Sequence, residues 1–420
     1  MTRARRQNSV RLLTSLAGAL ALIVVVVMAV IWWDERPLRE AEQLMTAGEH
    51  VQALSVVNEF LREHPDHGQA GTTRGRIYVG LGRWSDSVTE FQRHGAVTAQ
   101  DLHALAVSLL HLEQWSQALP VLEHVVTLNP SDADTLHELA GCQAKLGKFQ
   151  PALQTATRFA GLDGCEVRGL LLIGTIQREA GNEAKALEAW QRLVDLRPDA
   201  SNLQISAHEF LREYGSVLLH NGQPESAIDV LRQSLKLNPD SDAETWLGDA
   251  LLRTGQAEVA TQAWQRAVDL HPGNHRPREA LARQALQKRD STQALKWLTP
   301  LTGRDHMHAS TAYLLHRAAS QAGDSVQATE WRQRYNELTA VERRDAAIQH
   351  LLIESPESWW AQVIRAWRMA DDGNWGEAAS LVAPLTREGR QPDPFLQDLV
   401  LAIRERGTLP SLDRLPIQQF

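Results

Sequence analysis

Two stretches decide how this chain folds: LLLIGTIQREAGNEAKALEAWQRLVDLRP at residues 170–198 and ETWLGDALLRTGQAEVATQAWQRAVDLHP at residues 244–272. Laid one on the other, they share Gly174 with Gly248, Gly181 with Gly255, Ala186 with Ala260 and Pro198 with Pro272. Between these points large apolar residues recur at three to four positions, as in Trp190, Leu193 and Leu196, which is the period of a helix face. The second Gly interrupts that period. It can take the left-handed conformation that ends a helix without a Cβ clash. The Pro cannot continue a helix and closes the unit. Each stretch therefore reads as two antiparallel helices, and its two small residues, one per helix, let them approach closely.

The same register runs outward through the chain. Small residues stand at Ala53, Ser87, Ala118, Ala152, Ala186, Ala227, Ala260, Ala294, Ala328 and Ala378, in steps of 34, 31, 34, 34, 41, 33, 34, 34 and 50. Five residues earlier come Gly48, Gly82, Glu113, Gly147, Gly181, Gly222, Gly255, Arg289, Gly323 and Gly373. Twelve earlier come Ala41, Gly75, Ala106, Ala140, Gly174, Gly215, Gly248, Ala282, His316 and Ala366. Pro falls twelve after the anchor at Pro65, Pro130, Pro198, Pro239 and Pro272. Sustained alternation of the strand type is absent. The fold class is all-α, with about ten helix pairs. Ser87, Glu113, Arg289 and His316 depart from the pattern. Extra residues fall near Ala200–Ser206 and Leu338–Ile353, and the second group (LTAVERRDAAIQHLLI) reads as an additional helix that divides the array.

These residues resemble tetratricopeptide repeats over roughly residues 34–391. The resemblance implies an α-solenoid in which successive helix pairs stack into a right-handed superhelix and first helices line the concave side. Each unit alone buries too little surface, so stability comes from neighbours. Residues 392–420 supply a capping helix (PFLQDLVLAIRER, 394–406) and a tail, Gly407–Phe420, expected to be extended or mobile.

Ahead of the repeats, residues 12–33 (LLTSLAGALALIVVVVMAVIWW) carry no charge. As a helix these would span about 33 Å, enough for a hydrocarbon core of about 30 Å. Arg3, Arg5, Arg6 and Arg11 precede the run, and Asp34 and Glu35 follow it. The excess of positive charge on one side places the basic stretch 1–11 in the cytoplasm and the repeats across the membrane, on the extracytoplasmic or periplasmic side of a bacterial inner membrane. A cleaved signal would have a shorter apolar core and a small-residue cleavage site. This run ends in Trp-Trp-Asp-Glu, so a single-pass anchor is the expectation.

Composition limits the chemistry. Of 420 residues, 43% are apolar and 22% charged, and the net charge is −8, so neither disorder nor a nucleic-acid partner is indicated. Two cysteines exclude a disulfide scaffold and a four-thiolate zinc site. Cys142 lies mid-helix and reads as a buried thiol. Phosphate-loop, dinucleotide-loop, zinc-protease and nucleophile-elbow motifs are all absent. No catalytic residue, cofactor, metal or small-molecule substrate is indicated, and the chain is not read as an enzyme.

What remains is a binding face on the first helices. Arg76, Arg178, Arg212, Arg253, Arg283 and Arg317 fall on or near inward positions, with Trp246, Tyr313 and Trp367; Arg and aromatic side chains are favoured anchors of protein interfaces. His103, His111 and His137 fall on the same positions, where neutral imidazoles solvate a groove or respond to pH. His306 and His308 sit in a loop. The Lys/Asn constellation with which relatives grip a C-terminal carboxylate is missing. The function expected is a membrane-anchored scaffold or adaptor for a protein or peptide partner; the alternative is an envelope assembly factor or holdase that binds unfolded clients.

The register itself is testable. Replacing Ala186 or Ala260 with Leu is expected to force a helix pair apart and cost roughly 1–3 kcal/mol by overpacking. An unchanged thermal unfolding midpoint in either variant would count against the alignment of the columns.

Overall fold

The computed structural model describes residues 36–201, 203–303, 307–355, 358–386 and 393–416. Residues 12–33, expected to form the anchor, lie outside them, as does His306. Among the described residues no helix is long and apolar enough to cross a membrane, and no strand occurs. By compactness the chain falls into two units, residues 1–130 and 131–420.

The first unit holds three helix pairs: α1 (Arg36–Thr46) with α2 (His50–Glu63), α3 (Gly68–Gly80) with α4 (Trp84–His94), and α5 (Ala99–His111) with α6 (Trp115–Leu128). The second holds seven: α7 (Ala133–Lys145) with α8 (Phe149–Ala160), α9 (Glu166–Glu179) with α10 (Glu183–Leu196), α11 (Ala207–His220) with α12 (Pro224–Leu237), α13 (Ser241–Arg253) with α14 (Ala257–Leu270), α15 (His275–Gln287) with α16 (Ser291–Leu298), α17 (Ala309–Ala322) with α18 (Ser325–Glu354), and α19 (Trp359–Asp371) with α20 (Trp375–Leu385). A final helix, α21 (Pro394–Glu405), closes the series. The array is a solenoid of tetratricopeptide type within each unit.

The columns read from sequence occupy the places that packing demands. The anchor residues lie on second helices, and all except Ala328 are completely buried. Opposite them, Gly75, Gly174, Gly215 and Gly248 of the first helices each face a larger side chain four positions beyond the anchor. A Cβ on Gly174 would come within 2.1 Å of Trp190 Nε1, and one on Gly248 within 2.4 Å of Trp264 Nε1. Both indoles are buried. His316, the departure in this column, turns its ring across to the partner helix, where Nδ1 lies 2.8 Å from the carbonyl oxygen of Ala328.

First helices begin with side-chain caps. Thr98 and Ser206 form capping boxes with Asp101 and Glu209, and Asp132 and Asp240 accept from backbone N–H groups. Most second helices start without one, because the preceding turn already satisfies the backbone. After α9, the Gly181 N–H donates to Arg178 O (2.9 Å) and the Asn182 N–H to Gln177 O (2.8 Å), which closes the helix end.

The residue that turns the chain has positive φ in all ten pairs, including Glu113 at 57° and Arg289 at 60°. Those two side chains accept the strained region because the neighbouring helices dictate the turn.

Two expectations about the irregular segments change. Residues 338–353 are not a separate helix: they continue α18, which runs 30 residues without a break. Nothing between Ser325 and Glu354 is Gly or Pro, so no residue there favours a stop. The far end of α18 contributes Ile348, Leu351 and Leu352 to a core shared with α19, α20 and α21. The tail is also fixed as far as residue 416. Leu409, Leu412 and Leu415 join that same core.

Removing the strain at the irregular turns is expected to stabilise the array. Arg289→Gly and Glu113→Gly should each add about 1 kcal/mol, because a left-handed L-residue costs roughly that much. A thermal melt in which neither variant unfolds above the parent chain would contradict the turn geometry.

Candidate functional site

First helices of successive pairs pack on one another, α7 with α9, α11 with α13 and α15 with α17, whereas no two second helices approach as closely among the described residues. The side chains one position beyond the small residue therefore form a continuous column on the first-helix face. That column reads Gly141, Thr175, Ser216, Asp249, Arg283, Arg317 and Trp367 in the second unit. In the first unit it contains Glu42 and Arg76, which form an ion pair across neighbouring helices. The contact shows that adjacent members of the column reach each other.

The expected site residues divide by what they touch. Arg76 is committed to structure: besides Glu42 on α1 it meets Asp101 (3.1 Å) and Gln100 (3.2 Å) on α5, and so ties three first helices together. His103 lies half-buried on α5. His111 stacks on Trp84 with ring centroids 3.9 Å apart. His137 belongs to the second unit, where its ring meets the edge of Phe159 and hydrogen-bonds Gln204 of the inserted loop. Among the described residues no group of three His, Cys, Asp or Glu is arranged to hold a metal. Cys142 and Cys165 are free thiols, both buried.

Arg178 and Arg212 are likewise spent on carboxylates. Arg178 Nη1 donates to Glu213 (2.7 Å), and Arg212 bonds both Glu213 (2.9 Å) and Asp240 (3.1 Å), the cap of α13. This network joins α9, α11 and α13. Beyond it the face changes character. Trp246 lies beneath the Arg276 guanidinium, 3.6 Å from the ring centroid, with His220 at its edge. Arg253 donates to the carbonyl of Leu219 (2.7 Å) and Arg283 to Glu279 (3.0 Å), yet both arginines stay exposed. Arg317 lies over the Tyr313 ring, 5.9 Å from its centroid, and the Tyr313 ring lies 5.5 Å from that of Tyr335.

Two residues missed in sequence organise this part. Asp249 accepts from Trp264 Nε1 (3.1 Å) and faces Arg276, Arg283 and Arg253; burial pushes its carboxyl above the ordinary value, against the pull of those arginines. Leu252 is exposed beside Arg253. The available signal was the column itself, since Asp249, Arg283 and Arg317 follow at intervals of 34.

On the last pair the column is occupied. Trp367 Nε1 donates to the carbonyl of Pro410 (2.8 Å). Asp413 pairs with Arg344 of α18, and Arg414 with Asp398 of α21 (2.7 Å). A tail segment of this chain, irregular up to Ser411 and wound into a 3-10 turn over Leu412–Arg414, is thus held by one indole, two ion pairs and three leucines.

Residues 171–242, 215–275 and 245–305 match the family model of the tetratricopeptide repeat. Over residues 171–305 the chain is similar to tetratricopeptide repeats. Over 121 residues the chain is 33% identical to the Vi polysaccharide export protein VexE of Salmonella typhi, covering 28% of this chain and 17% of that protein. The C-terminal part of a TPR repeat-containing protein from Cytophaga hutchinsonii is similar in structure at 13% identity, over 58% of this chain and 98% of that one, with a TM-score of 0.47. YrrB, a TPR protein with an unusual peptide-binding site, is similar at 24% identity over 39% of this chain and 86% of that one, with a TM-score of 0.37. The matched tetratricopeptide repeats span α10 to α16 and most of α9, and so include the Asp249 cluster.

The surroundings of His137 carry a pH signature. Burial and Arg168 hold its imidazole below the ordinary 6.5, so the unfolded chain takes up that proton first. Stability is then complete above pH ~6.5 and declines as pH falls from there through the lower folded value. The melting temperature is expected to drop between about pH 7 and pH 5, and to drop less in His137→Gln. Equal drops in both chains would mean that His137 is not the group responsible.

Proposed function

We propose that this chain is a membrane-tethered adaptor whose first-helix face holds an extended segment of a protein partner outside the cytoplasm. Tetratricopeptide repeats serve generally in protein–protein interaction, and the observation that carries the reading for this chain is the grip on its own tail. Residues 407–416 lie against the first-helix face of the last pair, with a backbone carbonyl taken by Trp367, an acid by Arg344 and leucines by the apolar floor. That hold combines a main-chain hydrogen bond with apolar and charged contacts, the combination by which short peptides dock on a preformed face.

The tether rests on the uncharged run 12–33 and its basic N-terminal flank. A tether concentrates the repeats among partners in the same membrane, which strengthens otherwise weak contacts. The anchored chain is expected to resist alkaline extraction from membranes and to lose that resistance when residues 12–33 are deleted. Alkaline phosphatase fused after Phe420 is expected to be active.

Photo-crosslinking in cells tests the face. A photoreactive residue at Leu252 or Tyr313, both exposed on first helices, is expected to trap one discrete protein. The same probe at Val259 or Leu270, exposed on a second helix, is expected to trap none. A smear of many proteins from Leu252 and Tyr313 would favour the holdase reading, and no product from either position would remove the adaptor reading.

A further inference from the structure

Most exposed large apolar side chains of this chain sit on second helices, loops or the cap. Among the described residues only Leu252 and Tyr313 are exposed on first helices. Both stand in the stretch of face made by α13, α15 and α17, and both have an arginine beside them: Arg253 follows Leu252, and Arg317 lies one turn beyond Tyr313. Arg283 lies between them in the column, and Arg276 covers Trp246.

The charges of this stretch are layered. Its acids are drawn inward or already used. Glu279 is buried and accepts from Ser310 (2.7 Å), Thr311 (2.5 Å) and Arg283. Asp249 is half-buried and accepts from Trp264 Nε1, and Asp242 accepts from Asn274 (2.9 Å). Arg253, Arg283 and Arg317, by contrast, are exposed.

The column makes the same point. In the first unit Glu42 and Arg76 neutralise each other across adjacent pairs. Here two arginines, Arg283 and Arg317, follow one another, and among the described residues Arg317 has no carboxylate partner. Arg283 is already paired with Glu279 (3.0 Å), so the charge left unanswered in the column is that of Arg317, and an anion laid on the face would neutralise it. The feature runs against the chain as a whole, whose net charge is −8.

We infer that the face of α13, α15 and α17 binds an extended acidic segment of the partner protein, with carboxylates on Arg253, Arg283 and Arg317 and apolar side chains on Leu252 and Tyr313. The inference rests on the adaptor reading and specifies which segment the adaptor takes. Guanidinium forks suit carboxylates bidentately, and the two exposed apolar side chains flank them from two pairs apart, on α13 and α17. The segment carries acids alternating with large apolar residues, which is the chemistry that the tail offers to the last pair through Asp413 and its leucines.

The test uses the full chain in detergent micelles and a random dodecapeptide library displayed on phage. Selected peptides are expected to be enriched in Asp and Glu interspersed with apolar residues. A synthetic copy of one selected peptide is expected to bind about tenfold more weakly to Arg283→Glu/Arg317→Glu, and progressively more weakly as salt rises. Because Arg283 also serves buried Glu279, Arg317→Glu alone is the second variant; Arg317 is exposed and has no carboxylate partner among the described residues, so folding is expected to be retained while affinity still falls. Selected peptides without an acidic excess, or binding that Arg317→Glu leaves unchanged, overturn this inference and leave the adaptor reading standing. Failure to select any peptide, together with no crosslinked product from Leu252 and Tyr313, overturns both.

Discussion

The closeness of two helices at a small residue is the constraint on which the rest of this structure depends. An indole such as that of Trp190 fills the space that a Cβ on Gly174 would need, and Trp264 does the same over Gly248. Large and small are exchanged across the pair, so the helices lie near enough for the anchor alanines to vanish from solvent. Packing this dense tolerates little change of volume at either partner. It also makes the pair a rigid brick. Every other property of the array, including the regular step from one first helix to the next, follows from repeating that brick.

Rigidity of the brick explains why the irregular sequences still obey it. Glu113 and Arg289 lack the conformational freedom of Gly, yet they turn the chain with the same positive φ as their glycine counterparts. The packing of neighbouring helices outweighs about 1 kcal/mol of local strain. His316 solves the opposite problem: it is too large for its column and directs its ring to a carbonyl of the partner helix instead. Local sequence preference is overruled in both cases by contacts whose energy is shared among several pairs, as expected for a stack stabilised by nearest neighbours.

The same reasoning separates what could be read in advance from what could not. Helix pairs, their turns and the buried anchors were legible because one residue type at one spacing has one packing role. The continuous α18 was legible in principle, since thirty residues from Ser325 contain neither Gly nor Pro, but a lengthened repeat step draws attention to insertion rather than to extension. The order of the tail was signalled by Leu409, Leu412 and Leu415, and its prolines obscured them. The candidate face was only half legible. Sequence placed Arg178, Arg212 and Arg283 on first helices. It did not disclose that Glu213 would meet Arg178 from the next pair, or that Asp249 would sit under three arginines, because those contacts depend on how one brick is set against another.

One rotation separates the structural column from the variable one. A step of a single residue along a helix turns by roughly 100°, which carries the side chain from the interior of the pair to the open face. The small column must stay small, whereas the neighbouring column varies and bears Gly141, Thr175, Ser216, Asp249, Arg283, Arg317 and Trp367 in order; of these Arg283 and Arg317 are exposed. Charge and aromatic character can therefore be written along that face without disturbing the fold. In the first unit the writing is self-cancelling, Glu42 against Arg76. In the last pair it is answered by the chain's own tail through Trp367. Between α13 and α17 it is left as exposed arginines beside exposed Leu252 and Tyr313, and although Glu279 answers Arg283 from below, no carboxylate among the described residues pairs with Arg317.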